Sequence, residues 1–230
     1  MLVRAVGFAT VSDILGAEPV KVELPPGSRL SDLRAALTAR HPGLGEVWPR
    51  LAVAVDEELT SGDPVLADGC EVALLPPVSG GAGDDPADGS AVALVDGPID
   101  TAAVERRVAG PGHGAVVLFL GTVRDHHRGS RVERLTYSAY RPMALSSLGR
   151  IVADLESGGG CRVAIVHRLG EVQIGEASVV IAVASAHRAE AYAASRDALE
   201  RLKREVPIWK REHYAGGDVA WREEEPLAVA

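Results

Sequence analysis

The sequence predicts an α+β protein in two domains joined by a polar linker. Residues 1–81 alternate short apolar strands with one helical segment and finish in Gly80-Gly81. Residues 82–90 (Ala82-Gly83-Asp84-Asp85-Pro86-Ala87-Asp88-Gly89-Ser90) carry no large apolar side chain and have nothing to bury. Residues 91–230 again mix strand-like apolar runs with amphipathic helices. At 230 residues and 47% hydrophobic the chain is long enough for two modest cores, and an aromatic content of 4% leaves those cores to small and branched aliphatics.

In the first half, residues 2–10 and 21–24 read as strands, and the turn Pro25-Pro26-Gly27 closes the second of them. Ser31 is the expected N-cap of a helix reaching Arg40, in which Leu33, Ala36 and Leu37 share a face and which Pro42-Gly43 stops. Residues 51–56 form the next strand, Glu57-Glu58 turns the chain, and residues 71–75 form the last strand. Beyond it lies Pro76-Pro77-Val78-Ser79-Gly80-Gly81. Two prolines stiffen this tail, and two glycines strip its end of side chains, so the carbonyl of Gly81 fits a narrow pocket.

In the second half, residues 91–95 read as a strand, and Asp100 or Thr101 caps a helix through Val104 and Val108 that stops at Gly110-Pro111-Gly112. Residues 114–121 are an unbroken apolar run, expected as a strand buried on both faces. Directly beyond it stands Thr122-Val123-Arg124-Asp125-His126-His127-Arg128-Gly129, and polar residues at a strand's end often line a site. Residues 135–140 form a strand, and 142–155 a helix with Met143, Leu145, Leu148, Ile151, Val152 and Leu155 inward. Residues 162–168 and 177–184 form two more strands, joined through 170–176. At Ser185-Ala186-His187-Arg188 the last strand becomes a helix, which Pro207 ends. Lys203 and Lys210 flank that break, so they can converge on one pocket instead of lying along one solvated face.

The composition excludes several function classes. A net charge of −8 gives no positive field for a nucleic acid backbone. No apolar run reaches membrane-spanning length, and the N-terminal residues lack a signal-peptide pattern. Two cysteines, Cys70 and Cys161, give neither a disulfide framework nor a four-cysteine metal site, so a reducing cytoplasm is the expected setting. Cys70 reads as a core residue. His126 and His127 are adjacent without a third ligand, and no metal is assigned. His41, His113, His167 and His213 are read as structural, and Glu223-Glu224-Glu225 as a solvated charge run.

The strand, strand, helix, strand, strand order of residues 1–81 with its Gly-Gly end resembles the ubiquitin-like β-grasp sulfur carriers. Asp68-Gly69-Cys70-Glu71-Val72-Ala73-Leu74-Leu75-Pro76-Pro77-Val78-Ser79-Gly80-Gly81 is similar to the end of the molybdopterin synthase small subunit. Gly121-Thr122-Val123-Arg124, His167-Arg168-Leu169-Gly170, Ser185-Ala186-His187-Arg188 and the stretch from Leu202 to Glu212 resemble, in the same order, the large subunit of that family. The resemblance implies a β-grasp sulfur-carrier domain over 1–81, a flexible linker over 82–90, and over 91–230 a catalytic domain of the large-subunit α/β hammerhead type.

The resemblance further implies that a cyclic pyranopterin monophosphate receives two sulfurs from a thiocarboxylate on Gly81 and becomes molybdopterin. By motif position, Lys203 is the first candidate for the catalytic residue and Lys210 the second. Arg124, His187 and Arg188 are expected on the substrate's phosphate and polar ring edge, since Arg offers bidentate contact to an anion. Thr122, Val123, Arg211 and Glu212 are expected in the same pocket. Phe119 matches a family position beside it, although an apolar residue in a buried run also reads as core. No permanently bound cofactor is implied. The implied partners are an ATP-dependent adenylyltransferase, a sulfur donor and a second copy of the chain.

One departure from the family concerns Gly81, which here is in a peptide bond to Ala82. An amide cannot be adenylated as a carboxylate, so a processing protease that cuts after Gly81 is expected. Two alternatives stand beside this: an uncut, non-catalytic fusion in which the β-grasp domain regulates the pocket, and a general sulfur carrier for other thiolation pathways.

Overall fold

The computed structural model describes residues 1–77 and 90–222. The Gly80-Gly81 tail, the linker through Gly89 and the Glu223-Glu224-Glu225 run lie outside the described residues. The described chain divides into two compact units, one on 1–77 and one on 90–222.

The strands of the first unit are β1 (Leu2–Gly7), β2 (Val20–Glu23), β3 (Ala52–Val55), β4 (Glu58–Thr60) and β5 (Glu71–Leu75). They form one sheet in the order β2-β1-β5-β3-β4, with β1 and β5 parallel and the other pairs antiparallel. The helices are α1 (Thr10–Leu15), α2 (Leu30–Arg40) and α3 (Leu44–Val47), with a 3₁₀ turn at Trp48–Arg50. Leu33 and Leu37 of α2 are fully buried in a core with Val3, Ala5, Val22, Val72 and Leu74. Truncating either leucine to alanine at such a site costs about 2–5 kcal/mol.

Three local expectations change. β1 ends at Gly7 instead of residue 10, because Ala9 takes φ 47° and α1 folds back against the strand. The approach is so close that a Cβ on Gly7 would stand 2.7 Å from Val11 Cγ1. Ser31 lies inside α2 and is not its cap. The Arg29 amide donates to Asp32 Oδ2 at 2.8 Å, while the Ser31 amide and hydroxyl donate to the Asp63 carboxylate at 2.7 and 2.9 Å. The turn after β3 is made by Asp56 and Glu57, both at positive φ, and Glu58 already belongs to β4.

The second unit contains β6 (Val92–Val95), α4 (Thr101–Val108), β7 (Ala115–Thr122), the short β8 (His126–His127), β9 (Ser130–Ala139), α5 (Arg141–Glu156) and β10 (Cys161–Arg168). It continues with β11 (Gly170–Gln173), β12 (Ala177–Ser185), α6 (Arg188–Glu205), β13 (Ile208–Tyr214) and β14 (Val219–Arg222). One sheet has the order β6-β10-β12-β7 and a second the order β11-β9-β13-β14, with β8 paired to β9. α5 and α6 cover one face of the first sheet, burying Leu148, Ile151, Ala198 and Leu202 against Val163, Ile165, Ile181 and Val183. α4, capped by the Asp100 carboxylate accepting the Ala103 amide at 3.0 Å, covers the other face through Val104 and Val108.

β7 departs from its expected burial on both faces. Val117 and Phe119 pack against the α6-side core, but Val116, Leu118 and Leu120 on the other side are 39%, 37% and 43% exposed. The reason is position: β7 is the edge strand, and α4 lies mainly over β10 and β12. Residues 170–173, expected within a connection, form the strand β11, and residues 208–214, given no element from sequence, form β13 of the same second sheet.

Candidate active site

The end of β7 is held by an unusual register. Thr122 pairs with Ala177 and Gly121 with Val179, so Ser178 is an extra residue in β12. A bulge of this kind bends a strand and re-aims the residues beside it. Ser178 Oγ donates to the Gly121 carbonyl at 3.0 Å, and the Tyr137 hydroxyl donates to Ser178 Oγ at 3.2 Å. A Cβ on Gly121 would stand 2.6 Å from Val179 Cγ1, so that position accepts no side chain. Beyond the bulge, the buried Val123 donates its amide to the Glu176 carbonyl at 3.1 Å and accepts the Gly175 amide at 2.9 Å. Thr122 and Arg124, both exposed, therefore project from a fixed backbone.

Lys210 joins this end of the sheet through β13. It lies opposite Tyr137 on β9 and Arg222 on β14, and directly paired residues share a face. Lys210 thus stands beside the tyrosine whose hydroxyl reaches Ser178. Lys203 arrives by a different route. α6 begins two residues after β12 and doubles back along β12 and β7. Its 18 residues span about 27 Å at 1.5 Å per residue, enough to return the exposed Lys203 in its last turn to the level of Thr122.

His187 and Arg188 lie at the opposite end. Ser185 pairs with Ala115 at the start of β7, His187 is the residue before α6, and Arg188 is its first residue. The Ser185 hydroxyl donates to the His187 carbonyl. From Ala115 to Thr122 the strand runs about 24 Å at 3.4 Å per residue. Within one chain, then, Thr122, Val123, Arg124, Lys203 and Lys210 gather at one end of β7, and His187 with Arg188 sits at the other.

Arg211 and Glu212 also separate, because neighbours in a strand face opposite ways. Arg211 pairs with Thr136 and Trp221, and its guanidinium lies 5.1 Å from the Trp221 ring centre. Glu212 shares Lys210's face and is 3% exposed. Its Oε2 accepts Arg222 Nε at 2.9 Å and the Tyr214 hydroxyl, and His127 Nδ1 is 3.6 Å from its Oε1. Burial by itself would raise the Glu212 carboxyl, but the hydrogen bonds from Tyr214 and Arg222 outweigh it and hold the group below its usual range. Burial pushes the His127 imidazole down, and the cations Arg222, Arg128 and Lys210 add to this against Glu212. Phe119 is half-buried among the residues beneath α6. Among the described residues no three His, Cys, Asp or Glu side chains form a metal-binding group, and no helix is long and apolar enough to cross a membrane.

Residues 94–205 match the MoaE protein family, and residues 8–81 match the ThiS family. Molybdopterin synthase catalytic subunit 1 of Mycobacterium tuberculosis is 48% identical over 125 residues, which cover 54% of this chain and 85% of that protein. The chain belongs to the molybdopterin synthase catalytic-subunit family. The molybdopterin synthase catalytic subunit of Bacillus subtilis is 47% identical over 122 residues, covering 53% of this chain and 78% of its own length. Among solved structures, molybdopterin synthase from Staphylococcus aureus superposes with a TM-score of 0.55 at 40% identity, covering 58% of this chain and 96% of that one. This chain therefore carries a catalytic-subunit unit behind a ThiS-type β-grasp unit, the small-subunit and large-subunit types in one polypeptide.

Three residues that shape the synthase unit's site, Tyr137, Ser178 and Glu176, had no site reading from sequence, and Arg168 was read only as part of the family-like stretch His167-Arg168-Leu169-Gly170. Among the three, Ser178 alone left a trace, as the one hydroxyl inside the apolar run of 177–184. Its partners come from β9 and β7, 41 and 57 positions away.

Proposed function

We propose that this chain, which family membership assigns to molybdenum cofactor biosynthesis, converts a cyclic pyranopterin monophosphate to molybdopterin with two sulfurs delivered as thiocarboxylate on Gly81. The observation that carries this reading is the placement of Arg124 and Lys210 toward one end of β7, to which the length of α6 returns Lys203, in a chain whose ThiS-type unit runs to Gly81. Each thiocarboxylate sulfur bonds to a side-chain carbon of the pterin as that carbon gives up its bond to oxygen, which leaves as water at one carbon and as the phosphate oxygen of the opening ring at the other. Water then cleaves the carbon–sulfur bond to Gly81, leaving a carboxylate there. Arg124 holds the substrate's anionic edge. An ammonium from Lys203 or Lys210 stabilises the oxyanion that develops or supplies a proton as the cyclic phosphate opens.

This chemistry needs a free Gly81 carboxylate, so the chain is cut between Gly81 and Ala82 before an adenylyltransferase and a sulfur donor act on it. Any nine-residue random coil reaches only roughly 15–18 Å. An uncut tail entering a pocket would have to leave by the same opening. Mass spectrometry of the active protein is expected to find residues 1–81 ending in a thiocarboxylate, and a Gly81→Val chain is expected to stay uncut. Full sulfur transfer by a protein found entirely uncut would overturn the proposal.

The working unit is a pair of chains. Arg124 and the His187-Arg188 pair sit at opposite ends of an edge strand whose outer face exposes Val116, Leu118 and Leu120. Two edge strands related by a two-fold axis run antiparallel, so each chain's Thr122 end meets the other's Ala115 end. That arrangement covers the apolar stripe and delivers His187 and Arg188 of a second copy to the lysines of the first.

A further inference from the structure

Arg168 closes β10 with a side chain only 10% exposed. Its Nη1 donates to Glu176 Oε2 at 2.7 Å and its Nη2 to the Glu171 carbonyl at 2.9 Å, and its Nε is buried without a partner. Burying a guanidinium is costly, and an ion pair of this kind adds little over apolar side chains of the same volume. Stability alone therefore gives a poor account of it.

What the pair does fix is geometry. Glu176 Oε2 also accepts the Gln173 amide at 3.0 Å, which closes the turn 173–176. The Gln173 amide, opposed by burial and then supported by Arg168, holds the Glu176 carboxyl below its ordinary range. From this turn the Glu176 carbonyl accepts the Val123 amide and the Gly175 amide donates to the Val123 carbonyl, at 3.1 and 2.9 Å. Both backbone groups of Val123 are thus held by a turn that Arg168 staples, and Val123 lies between Thr122 and Arg124.

We propose that Arg168 and Glu176 are positioning residues, whose ion pair fixes the 173–176 turn and through it the direction in which Arg124 meets the anionic substrate. The inference rests on the reading of Arg124 as a substrate contact. It gives the His167-Arg168-Leu169-Gly170 stretch a task 44 positions along the chain from Arg124.

The test is steady-state synthase kinetics on the processed full chain with thiocarboxylate supplied, comparing Arg124→Ala, Glu176→Gln, Arg168→Met, Arg168→Lys and the double variant Arg124→Ala/Glu176→Gln. Glu176→Gln and Arg168→Met are expected to raise KM for the pyranopterin roughly tenfold with kcat within about twofold. Arg168→Lys, which keeps the charge, should recover most of that loss. The double variant should have the KM of Arg124→Ala alone, because both changes remove one contact. Should Arg168→Met fail to fold, Glu176→Gln carries the test, since its side chain is 38% exposed. A raised KM in Arg124→Ala beside an unchanged KM in a folded Glu176→Gln overturns the positioning pair alone, as do effects that multiply in the double variant. An unchanged KM in Arg124→Ala overturns the substrate contact and the inference together.

Discussion

The two units of this chain keep their chemistry in opposite kinds of place. The first is a five-stranded sheet around Leu33 and Leu37, and its proposed reactive atom belongs to Gly81, beyond the last strand. The second has no such string of residues. Its candidate site takes Thr122 and Arg124 from a strand end, Lys203 from a helix end and Lys210 from a strand of another sheet. A function carried by a short run of consecutive residues is legible as a local motif, whereas one assembled by sheets exists only once distant strands have found their register.

The largest expected effects test that division. Gly81→Val and Lys203→Ala should each abolish turnover, the first by denying the tail its processing and the second by a loss of roughly 10²–10³ in kcat, the scale of removing one oxyanion donor. Mixing the two inactive chains should restore sulfur transfer if the proposed cut frees the tail of one to serve the pocket of the other. Near-normal turnover by Lys203→Ala, folded and supplied with thiocarboxylate, would remove that lysine from the chemistry.

A smaller effect sharpens the comparison within the second unit, between the two ends of β7. Arg124→Ala and Arg188→Ala should each weaken substrate binding. If, as proposed, each site draws Arg124 from one copy and Arg188 from the other, a mixed pair of the two variants has one site with both changes and one with neither. Random mixing should bring back intact sites to roughly one quarter of the total, read as turnover at low substrate concentration. No recovery, with exchange of subunits verified by mass, would mean that both arginines act within one chain or not at one site.

The smallest expected effect concerns stability. Burial pushes the His167 imidazole down to about 4, against the hydrogen bond that its Nδ1 donates to the Arg168 carbonyl. Its unfolded value lies near 6.5, so the unfolded chain binds the extra proton first. The contribution is complete above about pH 6.5 and is lost as pH falls toward 4, up to about 3 kcal/mol. Among the described residues the first unit buries no histidine. Urea melts at pH 7 and pH 4.5 should therefore separate the units, and His167→Gln should flatten the second unit's acid slope. An unchanged slope would contradict the assignment.

Much of this was legible in the residues themselves. Apolar periodicity located the strands around residues 2, 53, 73, 93, 118, 165 and 181 and the helices of residues 30–40, 101–108, 141–156 and 188–205, because those patterns are set by contacts within one element. The motifs at 121–124, 185–188 and 202–212 were enough to point to the synthase family. Sequence left β7 looking doubly buried, since an apolar run reads alike at a sheet's centre and at its edge. It also grouped Arg124 with Arg188 and Arg211 with Glu212, because motif order carries no distance and adjacency carries no facing. Only the tertiary structure set Arg124 and Arg188 toward opposite ends of β7, a strand about 24 Å long, turned Arg211 toward Trp221 and Glu212 toward Arg222, and placed the bulge at Ser178. Each of those facts depends on which strands pair and in what register, and that is decided by long-range contacts no window of sequence contains.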